Sequence, residues 1–163
     1  MPRNPKASLD SYDRRILAAL QRDGRLSNVD LADRIGLSAS PCLRRVKMLE
    51  DTGVISGYQA TLDPDAIGLG LTVFVGIKVE RHHEEEAERF RQAVSALPEV
   101  LSAYLVSGES DFLLHVVVQD LRDYERFLTE VLLKLPGVRD IRSNFAIQTV
   151  KAQGPLPLGH LPA

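Results

Sequence analysis

Apolar residues recur at helical spacing through the first third of the chain and then switch to alternation. Between Leu9 and Arg22 they fall at Ile16, Leu17 and Leu20, which predicts a helix capped by Asp10 or Ser11 and stopped by Gly24. Val29, Leu31, Ala32 and Ile35 predict a second, shorter helix. Ser27 can cap it, Asp30 stands at the third position beyond the cap, and Gly36 ends it. Leu43, Val46 and Leu49 mark a third helix from Ser38 to Thr52, with Ala39, Ser40 and Pro41 in its first turn. Proline is tolerated there because first-turn N–H groups have no intrahelical partner.

Only Gly36, Leu37 and Ser38 separate the second and third helices, and a short glycine turn between two helices is the helix-turn-helix pattern. If Leu43, Val46 and Leu49 face the earlier helices, then Ser40, Arg44, Arg45 and Lys47 face outward from the first turns. Those turns are where a recognition helix reads bases, and an arginine fork suits guanine or phosphate. Ser38, at the helix start, joins this DNA-facing set. Cys42, the single cysteine, excludes an intrachain disulfide and reads as a small packed residue.

After Gly53, "VISGYQATLD" is rich in β-formers and reads as an exit strand, and "PDAIGLG" reads as a linker. From Leu71 the chain alternates strand and helix patterns. "LTVFVGIKVE" puts Val73, Val75, Ile77 and Val79 on one face of a strand. Ala87, Phe90, Val94 and Leu97 mark a helix, and "VLSAYLVSG" and "DFLLHVVVQD" form a hairpin around Gly108–Ser110. A second helix carries Leu121, Tyr124, Phe127, Leu128, Val131 and Leu135 inward, and "VRDIRSNFAIQTV" is a fourth strand. The order βαββαβ is the ferredoxin-like arrangement, with both helices on one face of the sheet. The other face, read as Phe74, Leu101, Leu105 and Leu113, has no third layer to cover it. Its simplest cover is the same face of a second copy, giving a symmetric dimer.

The fold class expected is therefore α+β. A helix-turn-helix (winged) domain over residues 1–60, exit strand included, is followed by a linker at 61–70 and a ferredoxin-like sensing and oligomerisation domain at 71–150. Residues 151–163, "KAQGPLPLGHLPA", are Pro/Gly-rich and aperiodic, and read as a loop or arm.

Charge supports the division. Residues 1–60 hold 10 Lys+Arg against 7 Asp+Glu, whereas residues 61–163 hold 10 against 15, which together give the net −2. A basic first unit on an acidic second one suits a polyanionic partner for the first. The opening "MPRNPKASLD" lacks the apolar stretch of a secretory signal, and no run approaches the roughly 20 residues of a membrane helix. A cytoplasmic protein with no membrane partner is expected. His82, His83, His115 and His160 share no metal-ligand spacing, and no phosphate loop or nucleophile elbow is present.

Taken together, "LDSYDRRILAALQRDGRLSNVDLADRIGLS", "SPCLRRVKMLEDTGVISGYQATLDP", "VSGESDFLLHV" and "LPGV" resemble the Lrp/AsnC (leucine-responsive/asparagine-responsive) family of transcriptional regulators, in order and over almost the whole chain. The leucine-responsive branch is the nearest in appearance. The resemblance implies double-stranded DNA as partner, read in the major groove at palindromic half-sites, and homodimers assembling to octamers. It implies no resident cofactor but an amino-acid effector at contacts between dimers. The family's GxxDxxL motif maps onto Gly108, Asp111 and Leu114, so that Glu109 and Ser110 fall within the effector site and Ser143 and Phe145 flank it. Two other readings stay open at this stage. One is an architectural protein that wraps DNA without an effector; the other is an enzyme like the sirohaem decarboxylases that resemble this family.

Overall fold

The computed structural model describes residues 9–80 and 84–163; His82, His83 and the first eight residues lie outside them. Two units emerge, one of residues 1–61 with 151–163 and the other of residues 62–150.

In the first unit, α1 spans Ser11–Leu20, α2 Asn28–Ile35 and α3 Ala39–Asp51. Asp10, not Ser11, caps α1. Its carboxylate accepts from the N–H groups of Tyr12 and Asp13 while Asp13 reaches back to the N–H of Asp10, a reciprocal capping box. Ser27 caps α2, and Gly36 closes it at φ +75°, a left-handed position that glycine adopts without cost. Ile16, Leu31, Ala32, Ile35, Cys42 and Leu49 form the core.

The inward face of α3 is turned from the one expected. Cys42 is fully buried and Leu43 is 45% exposed. The stripe that packs on α1 and α2 thus runs Cys42, Arg45/Val46, Leu49, one residue round from Leu43. Residues 54–63, read as an exit strand, pair with no strand among the described residues.

The second unit opens with a 3-10 turn at Asp65–Ile67. It continues as β1 Leu71–Val79, α4 Glu84–Ser95, β2 Val100–Leu105, β3 Phe112–Val118, α5 Leu121–Glu130 and β4 Val138–Phe145. The strands lie in the order β2-β3-β1-β4, each pair antiparallel. Val73, Val75 and Ile77 of β1 stand opposite Val116, Leu114 and Phe112 of β3, and this face packs against Phe90 and Val94 of α4 and Tyr124 and Phe127 of α5. Leu121, expected inward, is exposed at the first position of α5.

Directly paired residues share a face. Phe74 opposite His115, Gly76 opposite Leu113, and Tyr104 opposite Leu113 therefore define the uncovered face, on which the Phe74 and His115 rings stack at 5.0 Å. Leu105 does not belong there: it pairs with Phe112 of the helix-covered face and is 71% exposed at the sheet edge. The register of β2 shifts between Val100 and Ser102, at Leu101, and a shift of one residue reverses the parity of everything beyond it. Tyr104, 58% exposed, holds the place given to Leu105.

Candidate functional site

Two surfaces carry chemistry, one on each unit. On α3, Ser40, Leu43, Arg44, Lys47, Met48 and Asp51 line a shallow depression. Ser38, Ser40, Arg44 and Lys47 are all exposed, and neither cation has an ion-pair partner among the described residues. Ser38 is the N-cap residue, but its side chain makes no capping bond and points its hydroxyl to no helix N–H.

Arg45 departs from the expected set. Its Nη1 lies 2.8 Å from Asp10 Oδ2 and 2.8 Å from Asp13 Oδ1, and its guanidinium carbon sits 5.4 Å from the centroid of the Tyr12 ring. Asp13 is 2% exposed, so its carboxylate needs a fixed counter-charge, and the rotated face of α3 delivers one. The hydrogen bond to Asp13, followed by that to Asp10, pushes the Arg45 pKa up. The Asp10 pKa is lowered, chiefly by the N–H of Asp13, with help from Arg45 and the N–H of Tyr12, against an opposing cost of burial. Arg45 locks α3 onto α1 and fixes the direction in which Arg44 and Lys47 project. The sequence missed this because a lone arginine on an amphipathic helix carries no sign of which way it turns.

On the second unit, Lys78, Val79, Glu80, Gly108, Glu109, Asp111 and Arg139 surround a cleft of about 380 Å³. Asp111 continues the ladder past the end of β3: its N–H donates to Ile77 O at 2.9 Å and its C=O accepts from Val106 N at 2.9 Å. Its Oδ2 accepts from Val79 N at 3.1 Å, which fixes the carboxylate at the cleft wall. Gly108, at φ +127°, takes a backbone conformation that an L side chain would strain. Glu109 pairs with Arg142, which also approaches Asp140 at 3.5 Å.

Of the residues expected at an effector site, the cleft brings together Gly108, Glu109 and Asp111. Ser110 instead lies over Gly76, where an added Cβ would come within 2.5 Å of its hydroxyl. Leu114 is fully buried in the core. Ser143 Oγ lies 2.5 Å from the Tyr124 hydroxyl and Phe145 meets the Tyr124 ring edge-on at 5.3 Å, both on the helix-covered face. Lys78, Glu80 and Arg139 complete the cleft and were not foreseen. The β1–β4 register shifts between Lys78 and Val79, with Lys78 opposite Asp140 and Val79 opposite Val138. Arg139 is the residue left without a cross-strand partner, which frees it for the cleft. The cleft presents two cations and three carboxylates, so it can receive both poles of a zwitterion.

Residues 72–156 match the Lrp/AsnC ligand binding domain, and residues 9–56 match a winged helix-turn-helix DNA-binding domain. The Leucine-responsive regulatory protein of Escherichia coli K12 is 46% identical over 149 residues, 91% of each chain. The chain belongs to the Lrp/AsnC family. With both the ligand binding and the DNA-binding domain of that family, it is a ligand-modulated, DNA-binding transcription regulator and not an enzyme. Two solved structures of transcriptional regulators share its fold along nearly their whole length. A transcriptional regulator of Neisseria meningitidis in complex with L-Met is 41% identical, with a TM-score of 0.90 over 93% of this chain and 98% of the other. An AsnC family transcriptional regulator of Agrobacterium tumefaciens is 41% identical, with a TM-score of 0.89 over 93% and 99%. No helix of the described residues is long and apolar enough to cross a membrane.

Proposed function

We propose that this Lrp/AsnC regulator binds DNA sequence-specifically through α3 and is modulated by an amino acid held in the Lys78–Asp111–Arg139 cleft. The observation that carries the reading is the cleft's paired signs. Asp111 and its acidic neighbours suit an α-ammonium, while Lys78 and Arg139 suit an α-carboxylate. The Neisseria relative solved with L-Met supports the amino-acid class.

Arg44 and Lys47, helped by Ser38 and Ser40, contact the major groove and its phosphates. The face bearing Phe74, Tyr104, Leu113 and His115 joins two copies, so that two recognition helices address palindromic half-sites. Dimers assemble further to octamers, and the protein works in the cytoplasm. Calorimetric titration with the common amino acids, paired with gel shifts on the protein's own promoter and on random DNA, tests the reading. One amino acid should give saturable heat and change the promoter shift. No heat with any of them would leave a protein that binds DNA without an effector.

A further inference from the structure

The tail returns to the first unit and is held there like a bound peptide. Gln21 Oε1 accepts from Leu156 N at 2.6 Å and Gln21 Nε2 donates to Leu156 O at 3.3 Å. One side-chain amide thus satisfies both backbone groups of a single residue, as a β-strand neighbour would. Arg14 Nη1 donates to the carbonyls of Leu161 and Pro162, each at 3.4 Å. A turn closed by Leu161 N on Leu158 O places two half-buried leucines three residues apart. They face an apolar groove of about 490 Å³ whose other walls include Leu17, Leu20, Ile55 and Tyr58. Pro155, Pro157 and Pro162 fix φ at three positions of the segment, which lowers the entropy lost on docking.

We propose that residues 154–163 are an intramolecular peptide ligand of the DNA-binding unit, a strap that closes the groove between α1 and residues 54–58. The chain leaves the first unit after residue 61 and returns to it at Lys151, so a docked strap ties the DNA-binding unit to the ligand-binding unit at both ends of the latter. None of the strap residues lines the depression on α3, so docking leaves the DNA-facing side chains open. Its consequence is restraint: a doubly tied unit reaches fewer half-site spacings than one hung on a single linker. This last consequence rests on the proposed dimeric DNA binding; the docking itself does not.

The test uses the chain ended after Lys151 and a fluorescein-labelled peptide of residues 152–163, followed by anisotropy. The shortened chain should bind the peptide saturably. The full chain should bind it at least about tenfold more weakly, because its tethered tail competes at high effective concentration. Gln21→Ala in the shortened chain should weaken binding, as should a peptide with Leu158→Asp and Leu161→Asp. Absence of saturable binding by a shortened chain whose circular dichroism is that of the full chain would overturn the docking, as would equal affinity in the two chains. On DNA, the shortened chain should lose the full chain's preference against operators whose half-sites are moved by about 5 bp, half a helical turn. Peptide binding with that preference unchanged would overturn the restraint. Failure of the full chain to bind any operator would count against the proposed function and leave the peptide result standing.

Discussion

Arg45 and Asp13 form an ion pair between α3 and α1, with Arg45 Nη1 2.8 Å from an Asp13 carboxylate that is 2% exposed. Removing the cation would strand a buried charge. Loss of one partner of a fully buried pair costs about 3–5 kcal/mol, but Arg45 is 27% exposed and water screens part of the interaction. Arg45→Ala should therefore lower unfolding free energy by about 2 kcal/mol in urea titrations. An unchanged midpoint would return Arg45 to the DNA-facing set.

Arg44 and Lys47 should behave in the opposite way. Arg44→Ala and Lys47→Ala leave the core untouched, so their urea midpoints should stay those of the wild type. A phosphate-contacting side chain should lower affinity for all sequences and reduce the salt slope by about 1. A base-contacting one should cost roughly 1–3 kcal/mol at the operator alone. Filter binding across a salt series separates the two, and unchanged slopes and affinities for both variants would remove α3 from the interface.

Acid should loosen the first unit partly through Asp10. Its pKa is lower in the folded chain than its reference value of 3.8, so the unfolded chain binds more protons in that range. The stabilisation is complete above pH 3.8 and is lost as pH falls through the folded value. Asp10→Asn should flatten the dependence of stability on pH below about 4, relative to wild type. Thermal melts between pH 2.5 and 6 would show it, and parallel curves for the two proteins would rule it out.

Asp111 serves both the ladder and the cleft, and one conservative change can separate the roles. Asp111→Asn keeps an oxygen for Val79 N but removes the negative charge. The variant should melt within a few degrees of wild type and give no calorimetric signal with the effector. Retained binding would place the ammonium elsewhere.

The sheet register makes a paired prediction. Phe74→Asp puts a charge in the centre of the uncovered face, whereas Leu105→Asp lies at the edge on the other face. Light scattering should show the first variant as a monomer and the second as wild-type assembly. A monomeric Leu105→Asp variant with an intact Phe74→Asp dimer would invert the assignment.

The helices were legible because their caps and stops are local. Ser27, Gly36 and the Gly36–Ser38 turn announce themselves in sequence, and the alternation of strand and helix patterns gives the βαββαβ succession. What was lost depended on single-residue phase. A stripe beginning at Leu43 fits the helical spacing of α3 as well as one beginning at Cys42, and only the second turns Arg45 inward. The shift at Leu101 flipped the parity of β2, which no alternation pattern reveals. The GxxDxxL likeness found Gly108 and Asp111, but the motif's leucine points into the core. Lys78 and Arg139 enter the cleft through a register shift between strands distant in sequence. The tail has no periodicity at all, and its contacts run from backbone groups to Gln21 and Arg14.

The displaced register at the end of β1 has an evolutionary side. Arg139 occupies a position that the ladder does not use, so its replacement disturbs neither a cross-strand pair nor the core beneath. A change there alters the sign and reach of the cleft while the sheet stays as it is. If the cleft is the proposed effector site, a single substitution at this position retunes which small molecule it accepts without rebuilding the sheet that holds it.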